Sequence, residues 1–171
     1  MKKTKNGTPT VNQEQLIKLL KESPKGLTVL GPVGIGKSWA FEQVFKTPVK
    51  MWSANDISAL YATKGMEGIQ ESFTYELQGR LPLVIDDIGT EIIMANYGVK
   101  LDVVEWLILQ CYNAKTKMYF TTNLTLEALT ERYGQRVVDR IKEVTYIIVL
   151  EGDNHREAAY NKTEQELKNL L

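Results

Sequence analysis

Residues 31–38, Gly31-Pro32-Val33-Gly34-Ile35-Gly36-Lys37-Ser38, constrain this chain more than any other stretch. They follow the apolar run Leu27-Thr28-Val29-Leu30 and lead into Trp39-Ala40-Phe41-Glu42, which suits a helix. Glycine costs more conformational entropy on folding than any other residue, so three of them in eight positions mark a backbone that must turn sharply. The spacing is G-x-x-x-x-G-K-[ST], and it sits between an expected strand and an expected helix. In that setting backbone N–H groups converge on an anion, and larger side chains would block the approach. The positive end of the helix that starts at Lys37 points at the same place. The expectation is a phosphate-binding loop formed by Gly31, Pro32, Val33, Gly34, Ile35, Gly36, Lys37 and Ser38. Lys37 would neutralise the β- and γ-phosphates, and Ser38 would place its hydroxyl on Mg²⁺. Trp39 belongs to the same nucleotide-binding segment by position. Its indole is read as core packing behind the loop rather than as a base stack.

The rest of the chain alternates strands with helices. Residues 1–11 read as a mobile arm, followed by an amphipathic helix over 12–22 with Leu16, Ile17, Leu19 and Leu20 on its apolar face. Strands are expected at about 27–30, 49–52, 81–85, 118–122 and 146–150. Helices are expected over 37–45, 56–63, 66–79, 101–112, 125–133 and 135–143, with a charged helical tail from about 156. Leu81-Pro82-Leu83-Val84-Ile85 is apolar throughout, as in a central parallel strand covered on both faces. The pattern predicts an α/β fold with a five-stranded parallel sheet. It divides into an arm and short helix (1–23), a core (24–156) and a helical tail (157–171).

Two strand ends carry the chemistry that a phosphate loop requires. Leu83-Val84-Ile85 ends in Asp86-Asp87, and the carboxyl end of a central strand faces the same crevice as the phosphate loop. Asp86 would hold Mg²⁺ through water. Asp87 would orient or deprotonate the attacking water, a role more often given to glutamate, so turnover is expected to be slow. Glu91, just behind, would either assist or be a solvated loop acid. Phe120-Thr121-Thr122 ends in Asn123, which can hydrogen-bond both a γ-phosphate and the water; it also suits a helix cap. Arg136 and Arg140 share a helix face at i, i+4. They are either surface residues paired with Asp139 or Glu143, or donors of a guanidinium to the nucleotide of a neighbouring subunit. His155 reads as a solvated loop residue.

Composition narrows the partners. The 171 residues carry 21 Lys and Arg against 21 Asp and Glu, so no overall field draws the chain to nucleic acid or membrane. Cys111 is the only cysteine, which excludes an internal disulfide and fits a reducing cytoplasm. No signal peptide or membrane-spanning run is expected.

Together GPVGIGKS (31–38), LVIDDIG (83–89), FTTNL (120–124) and RYGQRVVDRI (132–141) resemble the AAA+ ATPases of the bacterial helicase-loader branch, the DnaC/DnaI type, and the IstB-type transposition ATPases. The resemblance spans roughly residues 24–156. It implies a P-loop NTPase sheet ordered 5-1-4-3-2, binding of ATP or ADP with Mg²⁺, and ATP-dependent homo-oligomers. It further implies a role in DNA replication: loading or regulating a replicative DNA helicase. The compact size alone suggests a phage or mobile element, and single-stranded DNA is a further candidate partner. By carry-over Lys37 and Ser38 bind phosphate and Mg²⁺, Asp86 and Asp87 form the acidic motif, and Asn123 is the sensor. Arg140 is the first choice for the finger and Arg136 the second. Two readings compete: an ATP-switched, transposition-regulator-like adaptor that binds DNA with little turnover, and a P-loop small-molecule kinase. A GTPase is disfavoured, because no N-K-x-D motif exists to read guanine.

Overall fold

The computed structural model describes residues 2–170. From the N-terminus the elements are β1 (Thr10–Val11), α1 (Gln13–Glu22), β2 (Gly26–Leu30), α2 (Lys37–Val44) and β3 (Met51–Ser53). Then come α3 (Ala54–Ser72), α4 (Thr74–Leu77), β4 (Leu83–Asp86), β5 (Met94–Asn96), β6 (Val99–Leu101) and α5 (Val103–Asn113). The chain continues through β7 (Met118–Thr122), α6 (Leu126–Tyr133), α7 (Gln135–Val144) and β8 (Thr145–Leu150) to α8 (His155–Leu170).

Six strands form one sheet in the order β1-β8-β2-β7-β4-β3, and every pairing in it is parallel. Five of them are the expected strands in the expected order 5-1-4-3-2. The sixth corrects the sequence reading. Part of the supposedly mobile arm is a strand: β1 lies along the edge of β8, with Val149 N donating to Pro9 O and Glu151 N to Val11 O, each at 2.9 Å. Two residues are too few to show a period of two, so only the unpaired edge of β8 dictates the strand.

The sheet is covered on both faces because its central strands alternate two apolar surfaces. On one side Leu83, Ile85, Met118 and Phe120 pack with Ile57 of α3, Leu107 of α5 and Val138 of α7. On the other Val29, Val84, Tyr119 and Leu150 pack with Leu16 and Leu20 of α1 and Phe41 of α2. Burying a side chain the size of Phe120 contributes about 1.5–3 kcal/mol relative to exposure. Asn12 fixes the start of α1 through a capping box with Gln15.

The two helices expected over 56–63 and 66–79 correspond to the halves of α3, which parts at Gly65, and to the short α4 that follows. Gly65 has φ 62°, a left-handed conformation that favours glycine, and a Cβ there would also press on the Asn96 side chain, 2.8 Å from its Oδ1. A β5–β6 hairpin, turning at Tyr97-Gly98, fills a stretch to which the sequence reading assigned no element. Among the described residues no helix is long and apolar enough to cross a membrane.

Candidate functional site

The carboxyl ends of β2, β4 and β7 meet at one crevice. β2 stops at Leu30, and the chain passes through Gly31 (φ 152°), Gly34 (φ 86°) and Gly36 (φ 91°) before α2 begins at Lys37. Gly36 caps α2 without any side-chain hydrogen bond, so the first N–H groups of the helix face the loop. A Cβ on Gly36 would fall 1.9 Å from Gln13 Nε2, which adds a packing demand to the conformational one.

The predicted site residues converge here. Lys37 is buried, and its ammonium donates to Gly31 O at 2.6 Å, Pro32 O at 2.8 Å and Asn123 Oδ1 at 2.6 Å. Ser38 Oγ lies 2.8 Å from each carboxylate oxygen of Asp86. Thr121 Oγ1 also donates to Asp86 and accepts from Asp87 N at 2.9 Å. Asn123 Nδ2 donates to Asp87 Oδ1 at 3.0 Å, and Asp87 adopts a left-handed φ of 56°. One network therefore joins the glycine-rich loop, both aspartates and the polar strand end. The register explains it: β7 lies between β2 and β4, with Leu30 opposite Thr122 and Ile85 opposite Phe120.

The loop, Asp87 and Asn123 line a cavity of about 670 Å³, within the ~300–1,000 Å³ usual for small-molecule sites. Gln13, Trp39 and His155 also line it. Trp39 was expected in the core, yet it is 49% exposed. Its position in the first turn of α2 turns the ring outward, while Ala40 and Phe41 occupy the buried side. His155 is exposed, as expected, and also contacts the loop: its backbone N donates to Gly34 O at 2.9 Å. Gln13 Nε2 donates to Ile35 O at 3.1 Å and lies 3.3 Å from His155 Nε2. Sequence spacing gave no signal for Gln13, because it reaches the loop from a separate helix 22 residues upstream of Ile35.

Glu91 fits neither role expected of it. It is buried, paired with Arg132 at 2.9 Å, and accepts from Tyr133 OH and, at 2.8 Å, from Gly89 N. Arg132 also pairs with Asp102, the cap of α5. Burial and the adjacent Glu91 charge push the Tyr133 phenol well above its usual range. This cluster clamps the loop after the acidic strand onto α5 and α6.

Arg140 does not join the crevice of its own chain. Its guanidinium lies over the Tyr112 ring, 4.9 Å from the centroid, while Arg136 is exposed. The surface ion pairs expected for them are not found among the described residues. Asp139 accepts from Gln135 at 2.6 Å and Glu143 from Tyr112 OH at 2.8 Å. Among the described residues no group of three His, Cys, Asp or Glu side chains forms a metal cluster. Ser38 and Asp86 still place hydroxyl and carboxylate oxygens side by side, the donor type Mg²⁺ takes when water and phosphate complete its shell.

No family model matches the sequence, and no curated protein matches it. Solved structures do. The DnaC helicase loader matches with TM-score 0.58 and 19% identity, over 86% of this chain and 95% of that one. DnaI matches with TM-score 0.54 and 20% identity, over 84% and 80%. AMPPCP-bound DnaA from Aquifex aeolicus matches with TM-score 0.57 and 16% identity, over 91% of this chain and 49% of that one. At these identities the likeness is one of fold, and it agrees with the fold that the resemblance of the four motifs implies: the chain shares the fold of the DnaC and DnaI structures.

Proposed function

We propose that this chain binds ATP with Mg²⁺, hydrolyses it slowly to ADP and phosphate, and uses the cycle to load or regulate a replicative DNA helicase. The observation that carries the nucleotide reading is the convergence of Lys37, Ser38, Asp86, Asp87 and Asn123 on one crevice at the sheet's carboxyl edge. The helicase reading rests on the fold shared with DnaC, described as a helicase loader, and with DnaI.

Each side chain has a distinct part. The N–H groups of the loop and of the start of α2 bind the β-phosphate. Lys37 gives up its bonds to Gly31 O and Pro32 O and pairs with the β- and γ-phosphate oxygens. Mg²⁺, once bound, neutralises charge building up between the β- and γ-phosphates. Ser38 and Asp86 are the residues that would hold it. Asp87 and Asn123, already hydrogen-bonded to each other, orient a water in line with the γ-phosphorus. A bond forms from that water oxygen to phosphorus, the bond to the β–γ bridging oxygen breaks, and Asp87 receives the proton. Aspartate is one methylene shorter than glutamate, which supports slow or partner-stimulated turnover. Assembly into ATP-dependent homo-oligomers, with Arg140 or Arg136 reaching the neighbouring nucleotide, belongs to the same proposal.

Calorimetric titration of ATP with Mg²⁺ into the wild type and Lys37→Ala tests it. Micromolar or tighter binding by the wild type, lost in a folded Lys37→Ala, is expected. Retained affinity in that variant overturns the phosphate-loop assignment. An adaptor with little turnover remains the second reading, favoured by Asp87 standing where glutamate is usual; tight ATP binding without phosphate release would select it.

A further inference from the structure

The buried cluster around Glu91 ends on the backbone beside Asp87. Gly89 N donates to both Glu91 Oε2 and Tyr133 OH, each at 2.8 Å, and Tyr133 OH donates in turn to Glu91 Oε1. Arg132 pairs with the same carboxylate at 2.9 Å. The turn these bonds hold carries Asp87 at φ 56°, a conformation that is costly for a residue with a Cβ and persists only where its surroundings fix it. On one side β7 does the fixing. Asp87 N donates to Thr121 Oγ1 at 2.9 Å, Ile88 N to Thr121 O at 3.0 Å, and Thr122 Oγ1 to Ile88 O at 2.8 Å. The next N–H along, that of Gly89, is held by Glu91 and Tyr133 instead. Gly89 has φ 92°, and a Cβ on it would meet Leu124 Cδ1 at 2.5 Å and Leu129 Cδ2 at 3.1 Å, so the turn also lies hard against Leu124 and α6.

We propose that Glu91 and Tyr133 are positioning residues for Asp87. The proposal rests on the reading above, in which Asp87 orients the attacking water. Neither side chain is part of the crevice lining. They act through Gly89 N. With both acceptors in place the turn is held on two sides, and the Asp87 carboxylate stays where Asn123 Nδ2 donates to it at 3.0 Å. Without them the turn relaxes toward an ordinary φ, and the carboxylate moves off the line of attack. Stability alone does not call for these residue types. Burying a carboxylate and a guanidinium is costly, and a well-packed apolar pair would fasten the loop to α6 equally well. An apolar pair cannot accept from a backbone N–H, which is what this cluster does two residues beyond Asp87. Arg132, itself paired with Asp102, fixes the Glu91 carboxylate in place.

The test is steady-state phosphate release and calorimetric ATP affinity, both with Mg²⁺, for the wild type, Glu91→Ala, Glu91→Gln and Tyr133→Phe, at a temperature where circular dichroism shows the protein folded. Glu91→Ala should lose about ten- to a hundredfold in kcat, the scale of a small misplacement of a reacting group, with KM and ATP affinity unchanged. Glu91→Gln keeps an oxygen for Gly89 N and should recover most of that loss. Tyr133→Phe leaves Glu91 Oε2 on Gly89 N and should lose less than Glu91→Ala. A cluster that serves stability alone would lower the denaturation midpoint of Glu91→Ala and leave its kcat at the wild-type value; that result overturns the proposal. So does a loss of ATP affinity that matches the loss of turnover, or Glu91→Gln as slow as Glu91→Ala. If Glu91→Ala does not fold, Tyr133→Phe decides: reduced kcat at unchanged affinity supports the proposal, and wild-type kcat overturns it. Turnover that is present in the wild type and equal in every variant removes the positioning role and leaves that of Asp87 standing. A wild type that binds ATP and releases no phosphate removes both.

Discussion

Ser38 Oγ sits 2.8 Å from both carboxylate oxygens of Asp86, although 48 residues separate them in the chain. Ser38 stands in the first turn of α2 and Asp86 at the last position of β4, with β7 lying between β4 and β2. The hydroxyl bridges the loop to the acidic strand across that intervening strand, and a divalent cation held here, as proposed, would meet hydroxyl and carboxylate oxygens together.

Removing the carboxylate separates the metal's role from that of the loop. Asp86→Ala should still bind ATP without Mg²⁺, since Lys37 and the loop N–H groups remain. Its phosphate release should fall by about 10²–10³-fold, the usual cost of deleting one electrostatic partner of a transition state. Steady-state phosphate release, measured beside ATP affinity with and without Mg²⁺, checks this. Mg²⁺-stimulated turnover at the wild-type rate would remove Asp86 from the metal site.

The Glu91 cluster predicts a stability effect with a defined pH sign. Tyr133 donates its hydroxyl proton to buried Glu91, and burial raises its folded-state pKa above the unfolded value. The stabilisation is therefore fully present below the unfolded tyrosine pKa, about 10, and is lost as pH rises beyond it. Above that point the unfolded chain ionises this group while the folded chain does not. Stability from this residue should fall by about 1.4 kcal/mol per pH unit there. Tyr133→Phe should be less stable at pH 8, because Glu91 and Gly89 N lose a partner, and should show a shallower loss above pH 10. Denaturant midpoints of both proteins across pH 8–11 test it; parallel curves would mean that Tyr133 ionises equally in both states.

The same cluster shows where sequence reading ran out. The glycine-rich turn between β2 and α2 was legible because its signal is local: glycines, lysine and serine in one short run between an apolar strand and a helix. The five main strands were legible because Leu83-Val84-Ile85 and Met118-Tyr119-Phe120 are apolar on both faces of the sheet. Glu91 and Arg132 lie 41 residues apart, and nothing in either neighbourhood marks them as partners. Glu91 therefore read as either an assisting acid or a solvated loop acid. Trp39 was misplaced for a related reason: its hydrophobicity suggests burial, and only the phase of α2 turns it outward. β1 and the β5–β6 hairpin are too short to carry a period, so pairing partners alone define them.

Arg140 gives the sharpest test of assembly. In its own chain its guanidinium stacks on Tyr112 rather than reaching the crevice. If it serves the nucleotide of a neighbouring subunit, Arg140→Ala should keep ATP affinity and lose turnover. Asp87→Asn should also be inactive, since that subunit's own water lacks its carboxylate. Mixing the two folded variants creates interfaces where an intact Arg140 from an Asp87→Asn subunit faces an intact Asp87 in an Arg140→Ala subunit. Phosphate release should then rise above either variant alone, following the fraction of mixed interfaces. The parallel experiment with Arg136→Ala decides between the two arginines, because only the one that acts across the interface is rescued by mixing. If light scattering shows that the variants still assemble with a non-hydrolysable ATP analogue, and mixing rescues neither, both arginines belong to the α7 surface. If the wild type stays monomeric under those conditions, no guanidinium is donated between copies of this chain.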